Sequence, residues 1–439
     1  MPSRAGELAH VGVSLRPDRS YAVVVHGSTV VPIEPAAPAR PDLEGVIAAA
    51  VGAAPGIPAA VTVDLSPVLL DAVTRTDSDL PQVAAVRIVP RAATDPALAR
   101  SPADVVERRI ARRFTVAGGH DLLGNELCPL DRVQLATVCA ELRAEGIRHV
   151  GIVAAGSQAR PAHERDVADA VQAAVPGARI SVASDYGGQG LVAREATVVL
   201  DSALGVLAED LLDRCERTLA RLPGAIGLRV ARGDGGYTTP SRIRAMPVVA
   251  FGATDALELC GAAHLEGHED CRVLLPRPGG QVAGEVRRGL ALVRPAEHAG
   301  IDTELVVPTA MLALEPDAPP GGLRARVTDV PVVRARWERH LLACIGAAVS
   351  QPTSWLDEFA FIESAAELER VRRDAEERAT AIVMANGAAP GTAYLAEVST
   401  VAVPYSPSGT VRIRVRVAGA PDREHGRPAV VEPGIGGSA

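Results

Sequence analysis

The chain has 439 residues, more than one hydrophobic core normally holds, so at least two packed lobes are expected. All 45 basic residues are arginine, which excludes catalysis by a P-loop lysine or a Schiff-base lysine, because arginine does not lose its proton to become an amine nucleophile. The formal net charge of −8, with acids and arginines interspersed, argues against a nucleic-acid partner.

The composition also indicates which residues form the hydrophobic core and in which cellular compartment the protein is expected. Aromatic residues make up 3 % of the chain, so the core must consist of Ala, Val and Leu, which suits helices packed on parallel strands. The six cysteines are scattered without a C-x-x-C pair, which predicts reduced, mostly buried thiols, no zinc site and a cytoplasmic location. No signal-peptide segment and no run of about 18 apolar residues is found, so no membrane span is predicted.

The N-terminal half alternates strands and helices in the manner of an α/β protein. Ser101, Pro102 and Asp104 are typical of a helix start, which predicts a helix directly after them. The predicted elements are strands at residues 10–15, 20–25, 59–65 and 84–89, helices at 43–51, 105–113 and 130–146, and a strand-helix-strand unit at 149–155, 162–175 and 179–183.

The C-terminal half has its densest glycine signal at residues 232–236, directly after a predicted strand. Its last two predicted strands alternate apolar and polar residues, as the strands of a hairpin do. The predicted elements are helices at residues 192–222, 335–349 and 364–384, strands at 226–231, 246–251, 273–275, 290–293, 394–403 and 411–417, a linker at 316–322 and a disordered tail at 420–439.

Four passages share their residue pattern with one protein family. They are residues 157–164, with a serine and then Pro-Ala-His-Glu, residues 194–204, with Arg-Glu and then Leu-Asp-Ser-Ala-Leu, residues 233–236, and residues 252–263. In these passages, and in their order along residues 11–419, the chain resembles the hydantoinase A/oxoprolinase family. The resemblance implies a two-lobed actin-like or sugar-kinase-like (ribonuclease-H-like) α/β fold of mixed sheets flanked by helices, with lobes at residues 1–183 and 184–419.

The resemblance also implies a chemistry. Members of this family hydrolyse cyclic amides such as hydantoins or 5-oxoproline with ATP and magnesium, and they work with a second, B-type subunit. Their ATP is held by two loops of the type Asp-x-Gly-Gly-Thr-x-Thr-Asp, one in each lobe. Paired glycines let backbone N–H groups approach the phosphates, and the carboxylates hold the metal and its water.

The first loop departs from that pattern in this chain. Ser14 and Tyr21 stand where the family has its two acids, and Arg16-Pro17 stands where it has the glycine pair. Proline lacks an N–H donor, and arginine adds bulk where the backbone should meet phosphate. This loop is therefore predicted not to hold ATP.

The second loop departs at the equivalent place. Arg277-Pro278 replaces the glycine pair, although a shifted alignment puts Gly279-Gly280 there without an acid on either side. Since both loops have lost their glycine pair, hydrolysis of ATP by the family's mechanism is not expected. No cofactor is therefore predicted for this chain.

The candidate site residues lie on the glycine-rich turn and on the long helix before it. Asp234 and Glu195 are the candidate catalytic carboxylates if the protein is active. Asp-Gly is also an ordinary turn, and a helical glutamate such as Glu195 often pairs with arginine. The remnant nucleotide-binding positions are Gly235, Gly236, Gly279 and Gly280.

Three histidine segments could carry chemistry, but each has a simpler structural explanation. His163-Glu164 could be an acid and base pair, yet a glutamate in the first turn of a helix is favoured by the helix dipole. The segment from His264 to Asp270 offers no second ligand group at zinc spacing, which favours a solvated loop. His120 follows two glycines and is most simply part of a turn, so no metal ligand is predicted.

Three functional hypotheses stay open. The first is a hydantoinase/oxoprolinase-like protein that has lost nucleotide chemistry and acts as a non-catalytic or regulatory partner of a B-type subunit. The second is an ATP-independent amidohydrolase that opens a small cyclic amide or lactam with Asp234 and Glu195. The third is a small-molecule binding protein. A homo-oligomer is compatible with all three.

Overall fold

The computed structural model describes residues 9–33, 42–91, 101, 103–298, 301–315, 330–404 and 406–422. The first elements are β1 (His10–Leu15), β2 (Ser20–His26), β3 (Thr29–Ile33), α1 (Leu43–Ala53), β4 (Ala60–Asp64) and α2 (Ser66–Thr74). The predicted opening hairpin is confirmed, because β1 pairs antiparallel with β2. β1 also pairs parallel with β4, so the first sheet is mixed.

The next elements form a four-stranded sheet. They are β5 (Val83–Val89), α3 (Asp104–Glu107), β6 (Ile110–Ala117), α4 (Arg132–Glu145), β7 (His149–Ala154), α5 (Ala162–Ala174) and β8 (Arg179–Val182). The strand order is β6-β5-β7-β8 and all pairs are parallel, which confirms the predicted strand-helix-strand unit. Asp131 caps the N-terminus of α4, and its carboxylate accepts the N–H groups of Val133 and Gln134.

The predicted helix at residues 105–113 is wrong. α3 has only four residues, and β6 follows it and pairs parallel with β5. Phe114 and Val116 are buried in the core of this sheet, two residues apart on one face. The alternation of a strand therefore outweighs the helix-start signal at Ser101.

The chain then returns to the first sheet through α6 (Leu191–Leu219), β9 (Gly227–Ala231), β10 (Tyr237–Thr238), α7 (Pro240–Ala245) and α8 (Ala253–Leu265). β9 pairs parallel with β4, which gives the order β10-β9-β4-β1-β2-β3. The predicted strand at residues 246–251 is wrong, because Pro247–Ala250 forms a short 3₁₀ helix. A short buried apolar run does not distinguish strand from helix, and Pro247 has no N–H for a neighbouring strand.

A second mixed sheet follows. Its region contains β11 (Cys271–Arg277), β12 (Gly280–Arg287), β13 (Leu290–Ala291), β14 (Val293–His298), β15 (Ile301–Ala310), β16 (Ala313–Glu315), β17 (Val332–Arg334) and α9 (Arg339–Val349). β11 pairs antiparallel with β12 and parallel with β17, which repeats the arrangement of β1, β2 and β4. The predicted linker at residues 316–322 lies outside the described residues.

Helices α8 and α9 pack against each other between the two mixed sheets. α8 shares a hydrophobic cluster with β11 and β12, and α9 packs on β1 and β2. Their backbones touch at Gly261 and Gly346, where an added Cβ would stand 2.1 Å from a carbonyl oxygen of the other helix. Only glycine allows this close approach, so the tightly packed helix pair joins the two sheets.

The last elements are β18 (Thr353–Phe361), α10 (Ala365–Ala385), β19 (Tyr394–Ala402) and β20 (Thr410–Ala418). β19 and β20 form the predicted closing hairpin, and β18 pairs with β20 on its other side. Residues 423–439 of the predicted tail lie outside the described residues. The domain boundary predicted at residue 183 falls after β8 and stays a prediction.

Two composition-based predictions can be compared with the structure. All six cysteines are free, and all but Cys128 are buried, as predicted. Among the described residues, the segment Pro247–Leu265 is long and apolar enough to cross a membrane by length and composition, but 72 % of it is buried inside the protein. Burial to this extent is typical of a segment that packs in the core of a protein.

Candidate functional site

The residues that replace the first glycine loop lie where β1 and β4 end. Neighbouring parallel strands end at the same sheet edge, which is the edge that binds ligands in α/β proteins. The Ser14 hydroxyl donates to Oδ2 of Asp64 at 3.3 Å, and the Thr254 hydroxyl, at the start of α8, donates to the same oxygen at 2.8 Å. The N–H of Ser66 donates to Oδ1 at 3.0 Å. Both carboxylate oxygens of Asp64 are therefore engaged.

No ion pair with another described residue neutralises the charge of Asp64. Its side chain is fully buried, and burial raises its pKa to about 6, although the three hydrogen bonds and the charge of Arg16 act in the opposite direction. Within the described part of the chain, Arg16 makes no ion pair, and its Nε has no hydrogen-bond partner. Asp64 therefore takes up a proton at a much higher pH than an ordinary aspartate.

The second Arg-Pro turn has a different electrostatic arrangement. Arg277, the last residue of β11, places Nη2 2.9 Å from Asp255 and 2.8 Å from Glu258, both on α8. Arg339 adds a contact of 3.0 Å from its Nε to Glu258. Glu258 is fully buried, and burial raises its pKa while Arg277 and Arg339 lower it. Arg277, in the turn that aligns with a phosphate loop, thus belongs to an ion-pair cluster with Asp255 and Glu258 of α8 and Arg339 of α9.

The four glycines predicted as remnant nucleotide positions lie in two environments. Gly279 lies in the turn of the β11–β12 hairpin and Gly280 begins β12, and an added Cβ at either would meet no protein atom within 4 Å. Gly235 and Gly236 are buried, and an added Cβ at Gly236 would stand 2.0 Å from the hydroxyl oxygen of Thr353. The close approach that Gly236 allows is therefore used by β18 of the same chain, and Gly235 faces α8 at Ala256.

Asp234, the first candidate catalytic residue, is fully buried after β9. Its carboxylate accepts the Thr353 hydroxyl at 2.9 Å and the Gly236 N–H at 3.2 Å. Arg232 pairs with Oδ1 at 3.3 Å, and Arg416 stands 3.8 Å from Oδ2. Burial acts to raise the pKa of Asp234, but Arg232 and Arg416 outweigh it, so the pKa lies below its ordinary value. Asp234 is thus an ionised link between the glycine turn and the last sheet.

Glu195, the second candidate, belongs to another ion-pair cluster. It extends from α6 and forms two hydrogen bonds with Arg87 of β5, at 2.7 and 2.5 Å, and both side chains are buried. Arg113 of β6 lies 3.6 Å away. Glu195 therefore joins α6 to the parallel sheet, whereas Asp234 joins β9 to the last sheet. The catalytic roles of both residues stay predictions.

Glu164 is the centre of a buried hydrogen-bond cluster at the start of α5. Its carboxylate accepts the N–H groups of Ala154 and Ser184 at 2.7 and 2.8 Å and the Ser157 hydroxyl at 2.5 Å. Arg194 of α6 pairs with it at 3.3 Å. The family-like serine, glutamate and Arg-Glu passages therefore meet at one point, where they connect β7, α5 and α6.

His163 lies beside His120 and Glu126, an association that the sequence did not predict. Their potential ligand atoms lie within 4.8 Å of one another, and the two rings have centroids 4.4 Å apart. His163 Nδ1 accepts the Gly119 N–H at 2.9 Å, so its proton resides on Nε2, which donates to Glu126 at 3.0 Å. A protonated Nε2 has no lone pair for a metal. A sequence signal for this association was available, because the parallel strands β6 and β7 end next to the loops that carry these residues.

Comparisons with known proteins agree with the resemblance seen in the sequence. Residues 102–175 match the model of the hydantoinase/oxoprolinase N-terminal region. No curated protein matches the chain in sequence. In structure it is similar to nucleotide-free acetone carboxylase, with a TM-score of 0.62 and 11 % identity over 95 % of this chain and 89 % of that chain.

A second solved structure gives the same result. The ATP-dependent caprolactamase from Pseudomonas jessenii has a TM-score of 0.67 and 11 % identity over 93 % of this chain and 87 % of that chain. The predicted family resemblance and the predicted α/β fold, with mixed sheets flanked by helices in the actin-like or sugar-kinase-like arrangement, are confirmed.

Proposed function

We propose that this hydantoinase/oxoprolinase-type chain does not use ATP and acts as a non-catalytic or regulatory subunit. The observation that carries the proposal is the contact of Arg277 with Asp255 and Glu258 in the turn that aligns with a phosphate loop. A guanidinium that is already neutralised by two carboxylates is poorly placed to bind phosphate. Pro278, next to it, offers no N–H donor.

The first Arg-Pro turn supports the same proposal. Asp64 is the acid at the end of β4, and its two oxygens already accept hydrogen bonds from Ser14, Thr254 and the backbone of Ser66. A magnesium ion bound with ATP needs carboxylate oxygens that are open to it and its waters. Fully buried and bonded, Asp64 does not offer such an oxygen.

Calorimetry of the purified full-length chain with ATP, with and without magnesium, tests the loss of nucleotide binding. No saturable heat is expected, and ATP at roughly 1 mM should not raise the melting temperature. Saturable binding that requires magnesium would overturn the proposal. Turnover of a cyclic amide without ATP, abolished in Asp234→Ala, would instead favour the ATP-independent amidohydrolase.

The proposed role as a subunit requires a partner, and the family resemblance points to a B-type subunit. Co-expression of the two chains followed by size-exclusion chromatography tests this step. Co-elution in a single peak, earlier than either chain alone, is the expected result. Separate elution of two folded chains would contradict the role as a subunit of that kind.

A further inference from the structure

One buried charge in the first sheet is unlike its neighbours. All five residues of β9 are buried, and a strand that is covered on both faces normally carries apolar side chains. Arg229 is the charged residue on that strand, and it is 9 % exposed. A guanidinium keeps its charge in proteins, so its burial needs a compensating partner.

The protein supplies only part of that compensation. Arg229 donates from Nη2 to the backbone carbonyl of Asp422 at 3.0 Å, and its guanidinium lies 4.6 Å from the centre of the Tyr237 ring. No carboxylate of the described residues lies within ion-pair distance, 4.0 Å, of this side chain. Burial lowers the pKa of Arg229, while Tyr237 and the charge of Asp422 act in the opposite direction.

Arg229 lines a cavity of about 480 Å³ between β9, the C-terminal end of α6 and the start of α7. This volume is in the range of small-molecule sites. One wall is apolar and is formed by Leu219, Ile226 and Leu228. The cavity shares no lining residue with either Arg-Pro turn.

A second arginine in the same cavity provides an internal comparison. Arg244 also lines it, but Nη2 of Arg244 lies 2.7 Å from both Asp213 and Glu216. Two carboxylates therefore neutralise the charge of Arg244 directly, whereas no carboxylate in the described part of the chain forms an ion pair with Arg229. As far as the described residues go, the cavity thus presents a guanidinium without a carboxylate at ion-pair distance next to an apolar wall.

We propose that this cavity binds a small monocarboxylate with a short apolar chain. The carboxylate pairs with the guanidinium of Arg229, and the apolar chain lies against Leu219, Ile226 and Leu228. One guanidinium pairs with a carboxylate through two parallel hydrogen bonds and balances its single charge, whereas a phosphate dianion carries more negative charge than one arginine balances. The inference goes beyond the proposed loss of ATP chemistry and does not depend on it.

Calorimetry and thermal melting of the full-length protein with hexanoate test the proposal. Hexanoate at roughly 10 mM should bind saturably and raise the melting temperature, because a ligand that binds only the folded state stabilises it. Arg229→Met should lose at least tenfold in affinity. Arg244→Gln is the matched control, and it should retain binding, because its charge is already neutralised by Asp213 and Glu216.

Further ligands separate the two parts of the site. Hexanol has the same chain without the charge, and hexylamine has the same chain with the opposite charge. Inorganic phosphate has a negative charge without the chain. Each of the three should bind at least tenfold more weakly than hexanoate. Equal binding of hexanoate and hexanol, equal affinity in Arg229→Met, or tighter binding of phosphate would each overturn the proposal. So would the absence of hexanoate binding to the wild type. If Arg229→Met does not fold, Arg229→Gln replaces it.

Discussion

The two Arg-Pro turns have the same dipeptide at equivalent places but different electrostatic arrangements. Arg277 lies between two acids of α8, whereas Arg16 makes no ion pair among the described residues. Opposite Arg16, Asp64 is held by hydroxyl groups and a backbone N–H, and its pKa is raised to about 6. The dipeptide therefore does not determine its own charge environment. The first turns of α8 contribute to the difference, because Thr254 bonds Asp64 near the first turn, whereas Asp255 and Glu258 pair with Arg277 in the second.

The largest expected effect comes from removal of the paired arginine. Arg277→Ala leaves the buried carboxylate of Glu258 with Arg339 alone, and breaking a buried ion pair typically costs about 3–5 kcal/mol, with the lower end expected here because one partner remains. Urea denaturation measures this free energy of unfolding. Arg16→Ala in the equivalent turn is the matched control and should cost less than about 1 kcal/mol. Equal costs would contradict the difference between the turns.

The second effect concerns the pH dependence of stability at Asp64. Its folded-state pKa of about 6 lies above the ordinary value of 3.8, so the folded state binds the proton more tightly than the unfolded state. This contribution to stability is present below about pH 4 and is lost as the pH rises through 6, a loss of about 3 kcal/mol. Asp64→Asn should lack this loss.

Unfolding free energies from urea titrations at several pH values between 4 and 7 provide the measurement for Asp64→Asn. As the pH rises, the unfolding free energy of the variant should increase relative to that of the wild type. All other titrating groups are the same in the two proteins, so the change reports on Asp64. Serine in place of Thr254 keeps a hydroxyl near Asp64 and should follow the wild-type profile. Parallel profiles of wild type and Asp64→Asn would show that Asp64 titrates normally.

Local patterns predicted much of the fold. The strand-helix-strand unit at residues 149–183 and both hairpins were predicted because each element has its own periodicity and turn residues. The predictions failed at β6, where an edge strand follows a good helix start, and at Pro247–Ala250, where a short apolar run has no period. Both failures concern segments whose conformation depends on the neighbours they pack against.

The candidate site was less predictable, because its contacts join distant parts of the chain. The contact of Arg277 with Glu258 depends on how α8 docks on the β11–β12 hairpin. The sequence did indicate that the Arg-Pro turns differ from a phosphate loop, since glycine and proline have local backbone properties. Arg229 was overlooked, although a charged residue inside an apolar strand was a visible signal.

A smaller effect concerns the backbone of the second Arg-Pro turn. Gly279 has a φ of +87°, in the region that favours glycine, and no atom within 4 Å would meet an added Cβ. Gly279→Ala should therefore cost about 1 kcal/mol through backbone strain alone. Gly52→Ala is the control, because Gly52 is helical and equally open, and the change should stabilise by up to about 1 kcal/mol. Destabilisation of both variants to the same extent would show that strain in the turn is not the cause.

The smallest effect is expected for Arg16→Gln. The positive charge of Arg16 lowers the pKa of Asp64, so its removal should raise that pKa further and destabilise the ionised form. At pH 4, Asp64 is protonated in both proteins and the variant should match the wild type. At pH 7 the free energy of unfolding of the variant should be lower by about 0.5 kcal/mol. The effect is small because Arg16 is half-buried, so solvent and salt screen its interaction with Asp64. A loss at pH 7 as large as that of Arg277→Ala would mean that Arg16 also neutralises a buried acid, and the contrast between the two turns would disappear.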